Sequence, residues 1–157
     1  MPYEFKKKSA RVEFRDGKKL VAVLIVTQAD YAADMLLAEL EFKAVSEYAK
    51  LLEERKSQKK FVTGEEVRFN YFSEKIYPKL AAPTVTNDGS PIPTAAEAYK
   101  LPSKCLNDWY AAAEKTNPAW FDEFKQITKA ALDAIEKLPS TDPAYVRLKK
   151  KEKNPAK

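Results

Sequence analysis

The fold of this chain is decided by residues 10–26, which read ARVEFRDGKKLVAVLIV. Val12 and Phe14 alternate with charged residues, as in a strand that buries one face. Asp16-Gly17 follows, and this pair supplies the positive φ angles of a tight hairpin turn. The run from residue 20 to residue 26 is apolar on both faces, and such a strand needs cover on both faces. Because two strands alone are marginally stable in water, the pattern predicts a β-hairpin over about 9–27 on which helices pack.

A long helix is predicted directly after the hairpin, and we expect it to provide the first of that cover. Thr27-Gln28-Ala29-Asp30 has the pattern of a capping box. No glycine or proline interrupts residues 31–60, and a helix of about 30 residues would be roughly 45 Å long. Apolar residues recur along it at alternating intervals of four and three. We call them the 31–52 stripe: Tyr31, Met35, Ala38, Phe42, Val45, Ala49 and Leu52.

The 31–52 stripe has two interpretations. In the first it is the core-facing side of an amphipathic helix. In the second, part of it has no partner within the chain and serves for self-association or for binding a helical client. The second follows from the length of the helix, which exceeds what a small hairpin can cover. In both cases the apolar face is widened by Leu36, Leu37, Leu40, Tyr48 and Leu51.

The remainder of the chain is predicted to be helical. Capping boxes at 63–66 and 94–97 begin two further helices, and the first of these is expected to end near Tyr77-Pro78. Residues 82–93 are rich in turn formers and nearly uncharged, which favours a loop. Asn117-Pro118 separates two more helical patterns, as expected where a helix begins with proline at its first position.

The fold class predicted from these patterns is α+β and mostly α. It has an N-terminal β-hairpin, then a long amphipathic helix, then a C-terminal helical half. At 157 residues the chain is long enough to bury one core. We expect a single globular domain over 1–146, with halves 1–81 and 94–146 joined by the loop 82–93, and a basic tail at 147–157.

The net charge of +5 is located entirely in that tail. Residues 147–157 hold six basic side chains and one acidic, whereas residues 1–146 hold 22 of each sign. A segment this charged buries too little apolar surface to offset its ordering entropy, so we expect it to be a solvated appendage that folding does not require. The alternative is that Lys149, Lys150 and Lys151 contact an acidic partner or nucleic acid.

The composition excludes several classes of chemistry. The chain has no histidine, one cysteine and three isolated glycines, which leaves no Ser-His or Cys-His nucleophile and no glycine-rich phosphate loop. The acids at Glu65-Glu66, Asp108, Glu114 and Asp122-Glu123 could supply the two carboxylates of a hydrolase, but each stands where a cap, a first turn or a solvated helix face expects an acid. We therefore expect a protein that is not an enzyme, with no catalytic, cofactor or metal site.

The compartment follows from the same kind of pattern. Cys105 has no second cysteine to pair with, which favours a reducing compartment. The N-terminus has no apolar run after its lysines, so we expect no signal peptide. The apolar run at 20–26 is too short to cross a bilayer. A cytoplasmic protein is expected, in the host cytoplasm if the chain is viral.

The order of these parts resembles the small tail assembly chaperones of long-tailed bacteriophages. That family has an N-terminal β-hairpin leading into helices, then a Leu-Pro element, a short helix with an Asn and an apolar face, and Asn-Pro. The matching stretch here is 101–109, from Leu101-Pro102 to Asn107 and Trp109, followed by Thr116-Asn117-Pro118-Ala119-Trp120-Phe121.

The resemblance implies a non-enzymatic role in virion morphogenesis. Members of the chaperone family keep the aggregation-prone tape measure protein soluble and help tail tube subunits assemble around it. Lys149–Lys151 is compatible with the ribosomal frameshift site that many members carry.

The expected partners are a protein and a second copy of this chain. No membrane is expected, and binding to nucleic acid stays an open alternative only through the basic tail. The alternatives are a structural or scaffold component of a phage particle and a small nucleic-acid-associated protein. The residues expected to contact a partner are Tyr31, Met35, Phe42, Val45, Trp109, Trp120, Phe121, Lys149, Lys150 and Lys151.

Overall fold

A computed structural model describes residues 4–136, and it confirms an α+β fold that is mostly helical. The chain divides into two compact units, Met1–Pro118 and Ala119–Lys157. The first unit has a three-stranded antiparallel sheet in the order β1-β2-β3. Its elements are β1 (Ser9–Asp16), β2 (Lys19–Thr27), α1 (Tyr31–Ser57), α2 (Gly64–Tyr71), a π-helical turn (Phe72–Ile76), α3 (Tyr77–Ala81), β3 (Thr84–Thr86), α4 (Ala95–Tyr99) and α5 (Ser103–Thr116).

The predicted hairpin is confirmed, and the sheet has one strand more than expected. Gly17 turns the chain with a φ of +61°, a conformation that glycine adopts without steric cost. Antiparallel pairing places Val12 opposite Leu24. The segment predicted as a loop contains β3, in which Thr84 pairs with Val26 of β2. A three-residue strand among turn formers is too short to show a recognisable alternation of apolar and polar residues in the sequence.

The sheet is covered by α5, whereas the sequence pattern assigned that cover to the helix that follows the hairpin. The covered face contains the buried side chains of Val12, Phe14, Leu24 and Val26. On the other face of β2, Val21 is exposed and Val23 and Ile25 are only half-buried. The expectation that β2 needs cover on both faces was therefore wrong. Helix α1 packs instead on α2, the π-helical turn and α3.

The core of the first unit is organised around Trp109 of α5, which is 0% exposed. Its ring contacts Phe14 of β1 and Tyr77 of α3 edge-on, at centroid distances of 5.9 and 6.5 Å. Its indole Nε1 donates a hydrogen bond of 3.0 Å to Thr84 Oγ1. The Thr84 hydroxyl in turn donates to the carbonyl of Leu80. One side chain thus joins β1, β3, α3 and α5.

The limits of α1 follow from its caps. Asp30 is the N-cap, and its carboxylate accepts the Ala33 N–H at 2.9 Å, so the capping box predicted at Thr27 lies three residues too early. At the other end, Lys59 N–H donates to Lys56 O and Lys60 N–H to Arg55 O. This is the Schellman arrangement. Lys59 takes its left-handed position, with a φ of 54°, where glycine is the usual residue.

The helix that begins at the Thr63 capping box continues past Pro78, although it was predicted to end there. Between α2 and α3 the chain widens into the π-helical turn, in which Tyr77 N–H donates to the carbonyl of Phe72, five residues back. Pro78 then occupies the first turn of α3, where its missing N–H and its ring are tolerated. Pro78 is fully buried.

A buried asparagine ties the end of β2 to the end of α5. Asn117 Oδ1 accepts the Ala29 N–H at 2.7 Å, and Asn117 Nδ2 donates to Thr27 O at 3.0 Å. Both polar ends of the amide are therefore used on the backbone that connects β2 to α1. We expect Asn117→Ala to lower the free energy of unfolding by about 2–3 kcal/mol, because it leaves two backbone groups unpaired. Urea denaturation measures this change. Asn117→Asp should lose at least as much, because it buries a carboxylate and sets one of its oxygens against the carbonyl oxygen of Thr27. Equal stability of Asn117→Ala and wild type would contradict this assignment.

The capping box predicted at Thr94 is present, and it makes stability depend on pH. Glu97 accepts the Thr94 N–H at 3.1 Å, and Thr94 Oγ1 accepts the Glu97 N–H at 3.2 Å. The backbone hydrogen bond from Thr94 holds the pKa of Glu97 below its ordinary 4.5. Its stabilising contribution is therefore complete above 4.5 and is lost as pH falls through the lower folded-state pKa.

We expect the melting temperature of Glu97→Gln to fall less between pH 6 and pH 3 than that of the wild type. Glutamine keeps the capping geometry but does not titrate. Thermal denaturation followed by circular dichroism at both pH values gives the change in melting temperature for each protein. An equal change in the variant and the wild type would show that this carboxylate makes no contribution to acid sensitivity.

The second unit is represented by α6 (Ala119–Glu136). At its start Trp120 is half-buried and Phe121 is buried, and further along Leu132 is exposed. The basic tail at 147–157, with Lys149, Lys150 and Lys151, lies outside the described residues, and so do the expectations that concern it.

Candidate functional site

The most prominent surface feature of the first unit is the 31–52 stripe on α1. All seven of its residues are exposed. Phe42 is 73% exposed and Tyr31 77%, and Met35, Val45 and Leu52 each expose about half of their surface. The interpretation of this stripe as the core-facing side of α1 was therefore wrong.

A second row of apolar residues provides the contact between α1 and the rest of the unit. Ala44 is its buried centre, and the other members are half-buried. At 100° per residue, this row lies about 130° around the helix from the 31–52 stripe. Helix α1 is thus apolar on two separate faces, one packed and one exposed. The inner row consists of Leu37, Leu40, Ala44, Tyr48 and Leu51.

The spacing of the 31–52 stripe is that of a coiled-coil seam. Intervals of four and three average 3.5 residues, the repeat that keeps a straight seam against a second supercoiled helix. The stripe stays apolar for three such repeats, from Tyr31 to Leu52. An exposed seam of this length is suited to a partner helix with the same repeat.

The borders of the stripe are mainly acidic. Asp34, Glu39, Glu41 and Glu53 occupy the positions beside the seam, where side chains reach the partner helix. The one basic residue there, Arg55, donates to Glu66 at 2.7 Å within the unit. In a parallel pair of two copies, Asp34 would meet Glu39 of the second copy. The border charges therefore favour a partner with basic borders over a parallel self-pair.

The other residues expected to contact a partner have different surroundings. Trp109 is a core residue with its N–H satisfied, so its assignment to a binding surface was wrong. Phe121 is also buried, which argues against it as a contact, whereas Trp120 is half-buried and its role stays a prediction. Tyr31, Met35, Phe42 and Val45 all lie on the exposed stripe. Burial could not be inferred for the tryptophan because large aromatics are common both in cores and at interfaces.

A second exposed feature, around Phe61, was not anticipated. Phe61 is 95% exposed and follows the C-terminus of α1, where Lys56, Lys59 and Lys60 surround a shallow pocket that it lines. The sequence signal was available, because a phenylalanine directly after Lys59-Lys60 falls outside both helical patterns.

Two of the acids that might have formed a catalytic pair, Glu65 and Glu66, are held by structural partners. Hydrogen bonding to Arg68, at 3.0 Å, lowers the pKa of Glu65. The Thr63 N–H, followed by Arg55, lowers the pKa of Glu66. Both carboxylates are ionised at neutral pH, so neither is poised to donate a proton there.

No family model, curated protein or solved structure matched this chain. Within residues 4–136 no helix is both long enough and apolar enough to cross a membrane. In the same part of the chain, no three histidine, cysteine, aspartate or glutamate side chains come together as a metal site would require.

Proposed function

We propose that this protein is a non-enzymatic assembly chaperone of a long-tailed bacteriophage, which binds the tape measure protein and assists tail tube assembly. The single observation that carries the proposal is the exposed heptad seam on α1. A chaperone for a long helical client needs an apolar surface that stays uncovered until the client arrives, and the 31–52 stripe fits that need. The resemblance around Leu101–Trp109 and Thr116–Phe121 supplies the class of client.

The interaction is of the helix-to-helix kind. The client offers a helix with apolar residues every 3.5 positions, and its side chains fill the holes between Met35, Phe42 and Val45. Basic residues beside the client's seam pair with the acidic borders of the stripe. Because α1 is fixed to its own unit by the inner row, the stripe is presented without a prior conformational change.

Co-expression tests this function. The tape measure protein of the same phage is produced in bacteria with and without this chain, and its soluble fraction is measured after centrifugation. We expect the soluble fraction to rise several-fold when this chain is present and the two proteins to co-elute from a sizing column. An insoluble tape measure protein in both cultures would contradict the proposal.

A nucleic-acid-associated role is the second candidate, and the surface around Phe61 favours it. Basic side chains beside an exposed aromatic ring combine phosphate pairing with base stacking. Such binding weakens steeply as salt rises. Fluorescence anisotropy with a single-stranded oligonucleotide at 50 and 200 mM salt tests this candidate. Binding at 50 mM that weakens steeply at 200 mM would support it, and no binding at 50 mM would contradict it.

A further inference from the structure

Strand β1 has an open outer edge. The strand order is β1-β2-β3, and within residues 4–136 no other strand pairs with β1. Native proteins usually protect such an edge with proline, a very short strand or repelling charges. β1 is eight residues long, contains no proline and pairs regularly with β2 from Ser9 to Phe14. Its exposed charged side chains, Arg11, Glu13 and Arg15, alternate in sign along the strand.

One hydrogen bond shows which backbone groups of β1 face outward. Gln28 N–H donates to the carbonyl of Lys8 at 2.8 Å, in line with the register of β1 on β2. In an antiparallel pair, successive residues of a strand direct their backbone groups alternately to one side and to the other. The even-numbered residues of β1 therefore bond to β2. The N–H and C=O groups of Arg11 and Glu13 point to the open edge.

The charges on β1 are complementary to a second copy of the same strand. If two copies pair antiparallel about Val12, Arg11 of each copy lies opposite Glu13 of the other, and both of these pairs can exchange backbone hydrogen bonds. Pairing centred on Arg11 or on Glu13 would instead place like charges directly opposite each other, which destabilises a sheet. On the covered face, the register about Val12 sets Ala10 opposite Phe14, a small side chain against a large one.

The side chains beside this edge leave room for a second strand. An open groove next to β1 is lined by its charged residues and, from α5, by Lys104 and Asp108, which have opposite signs. Within one copy Glu13 pairs with Arg15 at 2.9 Å and with Arg11 at 3.3 Å, and all three side chains are at least one-third exposed. Arg15 can therefore keep its pair with Glu13 while Arg11 turns to Glu13 of the second copy.

We propose that this protein pairs with a second copy of itself along β1, with the two-fold axis at Val12. The two three-stranded sheets then form one continuous antiparallel sheet, held by the backbone hydrogen bonds and ion pairs of Arg11 and Glu13. The proposal is independent of the chaperone function, because it uses β1 and leaves the 31–52 stripe of each copy exposed. It is tested on this chain alone, without a client.

Analytical ultracentrifugation of the full chain measures the pairing. We expect a dimer with a dissociation constant of about 1–100 μM. Arg11→Glu and Glu13→Arg each place like charges opposite in both pairs, so each variant alone should associate about tenfold more weakly or worse. An equimolar mixture of the two variants should associate at least as tightly as the wild type, because every Glu then meets an Arg. This recovery also shows that neither variant has lost its fold.

Lys50→Glu, at an exposed position of α1, is the matched charge reversal and should leave the dissociation constant unchanged. A wild-type chain that stays monomeric at about 500 μM would overturn the proposal, since that is well above the expected dissociation constant. A mixture of Arg11→Glu and Glu13→Arg that associates no better than either variant alone would overturn it as well.

Backbone amide exchange, followed by NMR, locates the interface. The amides of Arg11 and Glu13 should become protected as the protein concentration rises through the dissociation constant, whereas the amide of Val12, directed to β2, should be protected throughout. A dimer that leaves Arg11 and Glu13 unprotected, or that Phe42→Glu abolishes, would have its interface elsewhere and would overturn the proposal. Protection that needs added tape measure protein would assign the edge to a strand of another protein, which also overturns self-pairing.

Discussion

Replacing Trp109 with alanine is expected to lower the free energy of unfolding by about 3–5 kcal/mol, the cost of truncating a fully buried tryptophan. The indole is in contact with Phe14 and Tyr77, and its N–H donates to Thr84. The substitution leaves a cavity where β1, β3, α3 and α5 meet. Urea denaturation followed by circular dichroism measures the loss, which is large against the 5–15 kcal/mol that stabilises an ordinary domain.

Trp109→Phe is the informative companion to that variant. It keeps most of the buried ring but removes the donor to Thr84 Oγ1, so about 1–2 kcal/mol should be lost. If Trp109 were a partner contact instead, both variants would unfold like the wild type and would differ only in binding. A change below about 0.5 kcal/mol for Trp109→Ala would contradict the core described here.

The second large effect is on client binding and leaves stability unchanged. Phe42→Glu places a charge at the centre of the 31–52 stripe, where Phe42 is 73% exposed. The affinity for a soluble helical fragment of the tape measure protein should fall by about 30-fold or more, the effect of losing a central contact of at least 2 kcal/mol. Isothermal titration calorimetry measures it. The melting temperature should stay that of the wild type, because no packing contact is lost.

Phe61→Glu is the matched control, since it makes the same chemical change at another exposed phenylalanine. It should bind the fragment as the wild type does. Weakened binding by both variants would indicate a general effect of added negative charge. If Phe42→Glu bound normally, the stripe would not be the client surface.

Local signals in the sequence were sufficient for most of the secondary structure. Asp16-Gly17 gives the turn of the hairpin, and the Thr63 and Thr94 capping boxes form as predicted because they depend only on residues three apart. Strand β3 was missed because its three residues are held by partners distant in sequence: Val26 across the sheet, and Trp109 through Thr84.

The orientation of α1 could not be predicted, for a different reason. Both the 31–52 stripe and the inner row around Ala44 are apolar and have a helical period, so periodicity alone cannot say which one faces the core. The choice is made by the partners: α1 packs on α2, the π-helical turn and α3, and the sheet that was expected to receive the stripe is covered by α5.

Site-specific photo-cross-linking tests the central claim most directly. Benzoylphenylalanine replaces Phe42 in the full chain, which is co-expressed with the tape measure protein, irradiated and analysed by mass spectrometry; the same residue at Phe61 is the control. We predict that position 42 forms adducts with apolar positions of a tape measure helix and that position 61 does not. Adducts from position 42 to a second copy of this chain alone, or adducts to the client from position 61 alone, would contradict the assignment of the 31–52 stripe as the client-binding surface.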